Sequence, residues 1–240
     1  MSSSVDILAF GAHPDDVELG CGGTLLAHIH RGKTAGIVDL TYGELGTRGT
    51  VEDRVEEAAA AAKILGVSVR ENLGYKDGFF LNDKEHQLGV IKLLRKYRPE
   101  VVLANAISDR HPDHGRAAAM VKDAVFLSGL RKIETEMDGE NQEAYRPPAL
   151  YHYIQYHPVH PDITVDITDF VDQKMEAVLA HKSQFYNPES SEPKTVISNP
   201  GFMDAVRARS REVGMQINVE YGEGFTTTRN LGTADLLSLL

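Results

Sequence analysis

The chain has 240 residues, 42% hydrophobic and 25% charged, the balance of one ordinary α/β domain. Its formal net charge of −10 argues against a nucleic-acid backbone as partner, and its one cysteine, Cys21, excludes an internal disulfide framework. No stretch approaches the ~20 apolar residues of a membrane helix, and MSSSVDILAF lacks the basic start of a secretory leader. The expectation is a cytoplasmic protein without membrane or nucleic-acid partners.

In chain order, residues 5–10 form a short apolar run that reads as a buried strand, followed at once by His13, Pro14, Asp15 and Asp16. Residues 22–30 read as the apolar body of a helix stopped at Arg31-Gly32, and 35–40 as a second strand. The clearest helix covers 51–66, with acidic residues in its first turn, alanines in its middle and Gly66 past its end. Residues 67–73 give a weaker third strand. Residues 85–97 give a helix with Val90, Leu93, Leu94 and Tyr97 on one face, closed by Pro99. Residues 101–105 form a fourth apolar strand, and the loop AISDRHPDH leads into a helix over 115–127.

Beyond about residue 130 the pattern loosens. Residues 131–148 are charged and turn-rich, 150–156 and 163–167 alternate as strands, and 170–183 form an amphipathic helix. The stretch 187–200, with three prolines, reads as a surface loop or lid. A helix over 202–213 and a strand near 216–221 close the pattern. Apolar strands alternating with helices predict a Rossmann-like α/β fold: a mostly parallel, doubly wound sheet with helices on both faces, in a single domain over 1–240.

Ligands in open α/β sheets bind outside the carboxyl ends of the strands, and both histidine-bearing loops follow strands. A turn built for packing rarely collects one imidazole and two carboxylates in four residues. His13 and Asp16 are spaced to reach one divalent ion of the zinc type, which accepts imidazole nitrogen and carboxylate oxygen. The neighbouring aspartate would then stay free beside the ion, where a general base belongs. Spacing alone does not decide which of Asp15 and Asp16 takes which part. A second group, His111-Pro112-Asp113-His114, can complete a His-Asp-His set with one histidine. His111 is then an acid or electrostatic group that Asp113 could orient.

Blander readings compete. An aspartate before a helix is more often an N-cap, and a single histidine is more often a hydrogen-bonded core residue. Cys21 reads as a small packing residue. His152, His157 and His160 read as packing or rim residues, while His28, His30, His86 and His181 lack companions. Gly20, Gly22 and Gly23 do not make the G-x-G-x-x-G of a dinucleotide site.

The stretches AHPDDVELGCGGTL and HPDH resemble the two signatures of the PIG-L/LmbE-like zinc-dependent N-acetylglucosaminyl deacetylases. The likeness extends through Arg54-Val55-Glu56-Glu57 and Lys76-Asp77-Gly78, and it is greatest to the deacetylases of bacillithiol biosynthesis, which act on N-acetylglucosaminyl malate. The resemblance implies one Zn2+ per chain on His13, Asp16 and His114, with Fe2+ suited to the same ligands. It implies Asp15 as general base, His111 as a second catalytic group beside Asp113, and Arg54, Asp77 and Arg110 around the sugar or its aglycone. It also implies a small N-acetylglucosaminide substrate and a homo-oligomer, up to a hexamer. There is one departure. Mycothiol-pathway relatives carry a tyrosine two residues before HPDH, where this chain has Asp109. Protonation of the leaving group then falls to His111, or to Tyr186 or Tyr221. The rival readings are a broader deacetylase of chitooligosaccharides or other glucosaminides, and a non-catalytic nucleotide- or sugar-binding module.

Overall fold

A computed structural model of the chain describes residues 4–239. Four strand–helix units come first: β1 (Ile7–Gly11), α1 (Asp16–His30), β2 (Ala35–Thr41), α2 (Val51–Leu65), β3 (Val69–Tyr75), α3 (Lys84–Tyr97), β4 (Val101–Ala104) and α4 (Pro112–Ser128). A small hairpin, β5 (Glu136–Met137) and β6 (Glu140–Asn141), precedes β7 (Ala149–Tyr153) and β8 (Ile163–Asp166). Then follow α5 (Val171–Leu179), α6 (Phe202–Met215) and β9 (Gly222–Thr226). The main sheet is ordered β3-β2-β1-β4-β7-β9-β8. Strands β1 to β4 and β7 pair in parallel, and β9 runs antiparallel to both its neighbours. The expected mostly parallel, Rossmann-like sheet is what forms, with helices on both faces.

Successive side chains of β1 point to opposite faces. Leu8 and Phe10 pack with Val90, Leu94 and Val121 of α3 and α4, and Ile7 and Ala9 with Val17, Leu25 and Ala177 of α1 and α5. Strand order reverses beside β1, so the loops after β1 and β4 part to opposite faces and leave the crevice in which such sheets bind ligands. Across it, the Ala12 N–H donates to Asn105 Oδ1 at 2.9 Å.

Two of the differences from expectation share one reason. The first helix starts at Asp16, six residues earlier than its apolar body suggested, and breaks at Cys21 (φ −148°). The break frees the N–H groups of Gly23 and Thr24, and the Glu223 carboxylate on β9 accepts both, at 3.0 and 2.6 Å. Lys174 on α5 pairs with that carboxylate at 2.7 Å, so a buried glutamate caps half a helix from across the molecule. The last strand is therefore β9, not residues 216–221, which follow α6 as a turn. Two glycines and a glutamate in GEGFT carry little strand propensity. The glycines are steric: a Cβ on Gly222 would meet Gly214 of α6, and one on Gly224 would meet Pro161 and Ile154. The expected helix over 170–183 is shorter, as α5, and the charged, turn-rich 131–148 holds the small hairpin. Among the described residues no helix is long and apolar enough to cross a membrane.

Candidate active site

Asp15 ends the loop after β1 in a conformation that L-residues avoid, φ 118° and ψ −23°. Such a backbone costs about 1–3 kcal/mol and persists only where its surroundings impose it. Arg54, reaching from α2, is part of that imposition. Its Nη2 donates to Pro14 O at 2.7 Å and its Nη1 to Gly43 O at 3.1 Å, and Nη2 lies 3.6 Å from Asp15 Oδ2. Burial pushes the Asp15 carboxyl up to about 6, against the downward pull of Arg54. Glu57 takes no part in holding Arg54, since it accepts from Ser183 N and Oγ at 2.6 and 2.8 Å.

Asp16 is clamped by buried amides. Its Oδ2 accepts from the His13 backbone N–H and from Asn105 Nδ2, both at 3.0 Å. Its Oδ1 accepts from Gln155 Nε2 at 2.9 Å and lies 3.1 Å from His114 Nε2. The same Asn105 Nδ2 donates to Gln155 Oε1 at 3.0 Å, which locks the two amides together. The buried His152 ring holds Asn105 O from below, with Nδ1 at 2.9 Å. Burial opposes the Asp16 charge, but His114 and His13 outweigh it and hold this carboxyl well below the usual range.

The imidazoles converge on Asp16. His13 Nε2 lies 3.0 Å from Asp77 Oδ1 and 3.4 Å from Asp113 Oδ2, and Nδ1 lies 3.5 Å from Asp16 Oδ2. Desolvation disfavours its charged form, yet hydrogen bonds to Asp113, Asp16 and Asp77 raise its pKa well above the usual value. His114 Nδ1 meets Asp109 Oδ2 at 2.5 Å, and Asp109 Oδ1 accepts the Tyr156 and His157 N–H groups at 3.0 Å each. Burial works against a charged His114, but Asp16 and Asp109 lift it to about 9. Asp109 itself, despite desolvation, is drawn down to about 2 by His114. Thus the residue that departs from the mycothiol-type pattern is the anchor of a candidate ligand.

His111 caps α4, accepting the Asp113 N–H on Nδ1 at 3.3 Å. Its ring stands edge-on to His13 and stacks on His114, with centroids 4.6 and 5.1 Å away. Burial and those two rings lower its pKa. The Asp113 carboxylate does not reach His111. It accepts from Gly78 N at 2.8 Å and Arg116 Nη1 at 2.5 Å, and approaches His13. Donor atoms of His13, His111 and His114 lie within 4.8 Å of one another, as do those of His13, Asp77 and Asp113. Neither triad includes Asp16, which lies 3.5 Å from His13 Nδ1 and 3.1 Å from His114 Nε2. Imidazole nitrogens and buried carboxylates packed this closely are the donor types a zinc-type ion accepts, so the residues fit the implied metal.

A cavity of about 530 Å³ opens over this cluster. His13, Asp15 and His114 line it, and so do Arg110, Tyr156 and Arg209. Neither Tyr186 nor Tyr221 is among its lining residues, and Tyr156 is its tyrosine. A buried ion network lies one turn past Asp15. Arg70 grips Asp39 at 2.8 and 3.0 Å and Glu18 at 2.5 Å, and His181 Nε2 lies 3.2 Å from Glu18 Oε1. Sequence reasoning missed Asn105, Gln155 and this network. Asn105 had a usable signal, a polar residue closing an apolar strand, and Gln155 had none. The segment after α5 is tied to the loop after β2 by Arg48, which donates to Ser183 O, Ser190 Oγ and Pro193 O at 2.7, 3.1 and 3.2 Å.

Fold and cluster define a class: a Rossmann-like protein with an imidazole–carboxylate centre at the point where its strand order reverses. The chain belongs to the PIG-L deacetylase family, whose model, described as GlcNAc-PI de-N-acetylase, matches residues 8–125 and so spans both histidine loops. It is 30% identical over 189 residues to the diacetylchitobiose deacetylase of Thermococcus kodakarensis, covering 75% of this chain and 70% of that one. It is 28% identical over 204 residues to a probable N-acetyl-alpha-D-glucosaminyl L-malate deacetylase 2 of Bacillus anthracis, covering 77% and 84%. A 4-oxalmesaconate hydratase of Pseudomonas putida is also 30% identical, over 188 residues, covering 71% and 70%. Among solved structures, the conserved protein TT1542 from Thermus thermophilus superposes with a TM-score of 0.86 at 39% identity, covering 97% of this chain and 98% of that one.

Proposed function

We propose that the protein is a metal-dependent deacetylase that removes the N-acetyl group from an N-acetylglucosaminide, and that this substrate is N-acetylglucosaminyl malate, as in bacillithiol biosynthesis. One observation carries the reading: a buried carboxylate, Asp15, is held in a strained conformation beside His13, Asp16 and His114 at the floor of a cavity of about 530 Å³. His13, Asp16 and His114 would hold Zn2+ or Fe2+. Bound there, such an ion acidifies a water molecule and polarises the acetamide carbonyl.

The chain's own residues do the rest. Asp109 accepts the Nδ1 proton of His114 and leaves Nε2 for the ion, and the Asn105–Gln155 pair fixes Asp16. Asp15 accepts the proton of the attacking water. With a pKa of about 6 it can also return that proton to the nitrogen as the C–N bond breaks, giving acetate and a free amine. In neutral His111, Nδ1 is occupied as an acceptor of the Asp113 N–H, so Nε2 carries the proton and donates to the acetamide oxygen as negative charge develops. Asp77 and Asp113 keep the His13 ring in place through the same nitrogen, Nε2.

The test is acetate release from N-acetylglucosaminyl malate, from diacetylchitobiose and from N-acetylglucosamine, with and without chelator and with zinc restored. The proposal expects chelator-sensitive release that is fastest on the malate glycoside. Equal rates on the three substrates would remove the malate assignment in favour of a broad glucosaminide deacetylase. Release that survives complete metal removal would remove the metal.

A further inference from the structure

We propose that Arg209, on α6, together with Arg110 forms an anion subsite across the ring of Tyr156, and that this subsite selects glycosides with a carboxylate-bearing aglycone. The inference rests on the deacetylase reading above and adds the residues that choose the substrate. Arg110 follows β4 and Arg209 comes from α6, far apart in the chain, yet both guanidiniums face one aromatic ring. Their Cζ atoms lie 5.1 and 5.8 Å from the Tyr156 centroid, within cation–π range. All three residues line the cavity. Tyr156 is 43% exposed, so its ring is a wall of the cavity and not part of the core.

Pairing sets these two apart from the third arginine of the cavity. The protein carries 35 acidic residues against 25 lysines and arginines. Of the arginines that line the cavity, Arg54 lies 3.6 Å from a carboxylate, whereas among the described residues Arg110 and Arg209 have none within 4.0 Å. Glu212, one turn along α6, also lines the cavity and forms no ion pair with Arg209. The one bond Arg209 makes inside the protein is Nη1 to Gln155 O, which fixes the head of the side chain and leaves its other donors uncommitted. A guanidinium so placed presents the fork that carboxylates accept bidentately.

In the imidazole cluster the carboxylates are already matched: Asp77 and Asp113 face His13, Asp109 faces His114 and Asp15 faces Arg54. A carboxylate held at Arg110 and Arg209 leaves the acetamido group of the same molecule to reach Asp15, which lines the same cavity. A neutral aglycone such as a second N-acetylglucosamine gains nothing from two unpaired cations. By resemblance alone, the aglycone falls to Arg54 and Arg110. Arg54 is buried and turned to Pro14 O, Gly43 O and the Asp15 carboxylate, whereas Arg209 faces no carboxylate and is better placed for that part.

The test compares N-acetylglucosaminyl malate with methyl N-acetylglucosaminide on zinc-loaded protein, as binding by calorimetry and as kcat/KM. Wild type should favour the malate glycoside, and raising ionic strength should erode that preference. In Arg209→Met the ratio of the two kcat/KM values should fall about tenfold or more, mostly through KM. Arg209→Lys should recover part of it. A purely structural arginine docking α6 would depress both substrates alike, and an unchanged ratio in Arg209→Met overturns the proposal. If wild type binds the malate glycoside tightly, Arg209→Met loses that binding, and acetate is released from neither compound, the subsite stands and the deacetylase reading falls. Equal wild-type binding of the two glycosides overturns the subsite even if both are deacetylated.

Discussion

In the imidazole–carboxylate cluster each charged group already has a partner: His13 has Asp77 and Asp113, Asp16 two amides, His114 Asp109, and Asp15 Arg54. Elsewhere on the cavity wall two guanidiniums share a tyrosine face and meet no carboxylate. The cluster comes mainly from the loops after β1, β3 and β4, whereas Tyr156 and Arg209 belong to the chain beyond β7. Paired charges fix geometry before any ligand arrives, which is what placing a metal and moving a proton require. Unpaired charges are left for a ligand to satisfy, and they set which ligand is worth binding.

The contrast can be broken from the cluster first. His114→Ala removes a proposed ligand, and metal affinity should fall by more than ~100-fold, with turnover lost alongside. Full zinc occupancy in that variant would show that His114 only packs. Asp109→Asn and Gln155→Ala leave the ligands but loosen what orients them, and each should weaken zinc binding by about 10–100-fold in a chelator competition. Affinity unchanged in both would reduce the clamp to ordinary packing.

A smaller effect concerns pH. Asp15 must be ionised to accept a proton, so kcat/KM falls as pH drops through its pKa. Burial puts that pKa at about 6, and a bound cation can only lower it, so the acid limb lies at or below that point. Arg54 pulls in the same direction as the cation. Arg54→Met should move the limb upward by about one unit, and a limb that stays put would free Asp15 from the base role. Smallest for catalysis is Gly20→Ala. A Cβ there would fall inside the Tyr153 ring, whose hydroxyl donates to Phe10 O at 2.8 Å. Overpacking of that joint should cost about 1–3 kcal/mol in thermal unfolding while metal content holds.

The same division explains what could be read from the amino acids alone. His13, Asp15, Asp16, His111 and His114 stood out because titratable groups cluster where apolar strands end, and the β–α alternation gave the sheet and the edge at which they meet. The cap on the broken first helix did not stand out. Its break at Cys21 is made good by Glu223, a contact across some two hundred residues that no local pattern encodes. The strand bearing Glu223 hid behind two glycines for the same reason, since tertiary fit there outweighs strand propensity. Asp109 was visible only as a departure, and its partnership with His114 needed the loop's path. Tyr186 and Tyr221 drew notice as proton donors, whereas the cavity holds Tyr156.

The central claim is that Asp15 moves the proton while Asp16 holds the ion. Asp15→Asn keeps the side chain's shape and tolerates the same backbone conformation, so it separates the two. Metal content and initial rate are to be measured on one zinc-loaded preparation. The expected result is wild-type zinc with a rate lowered by about 10²–10⁴-fold. Wild-type zinc with a near wild-type rate would contradict it.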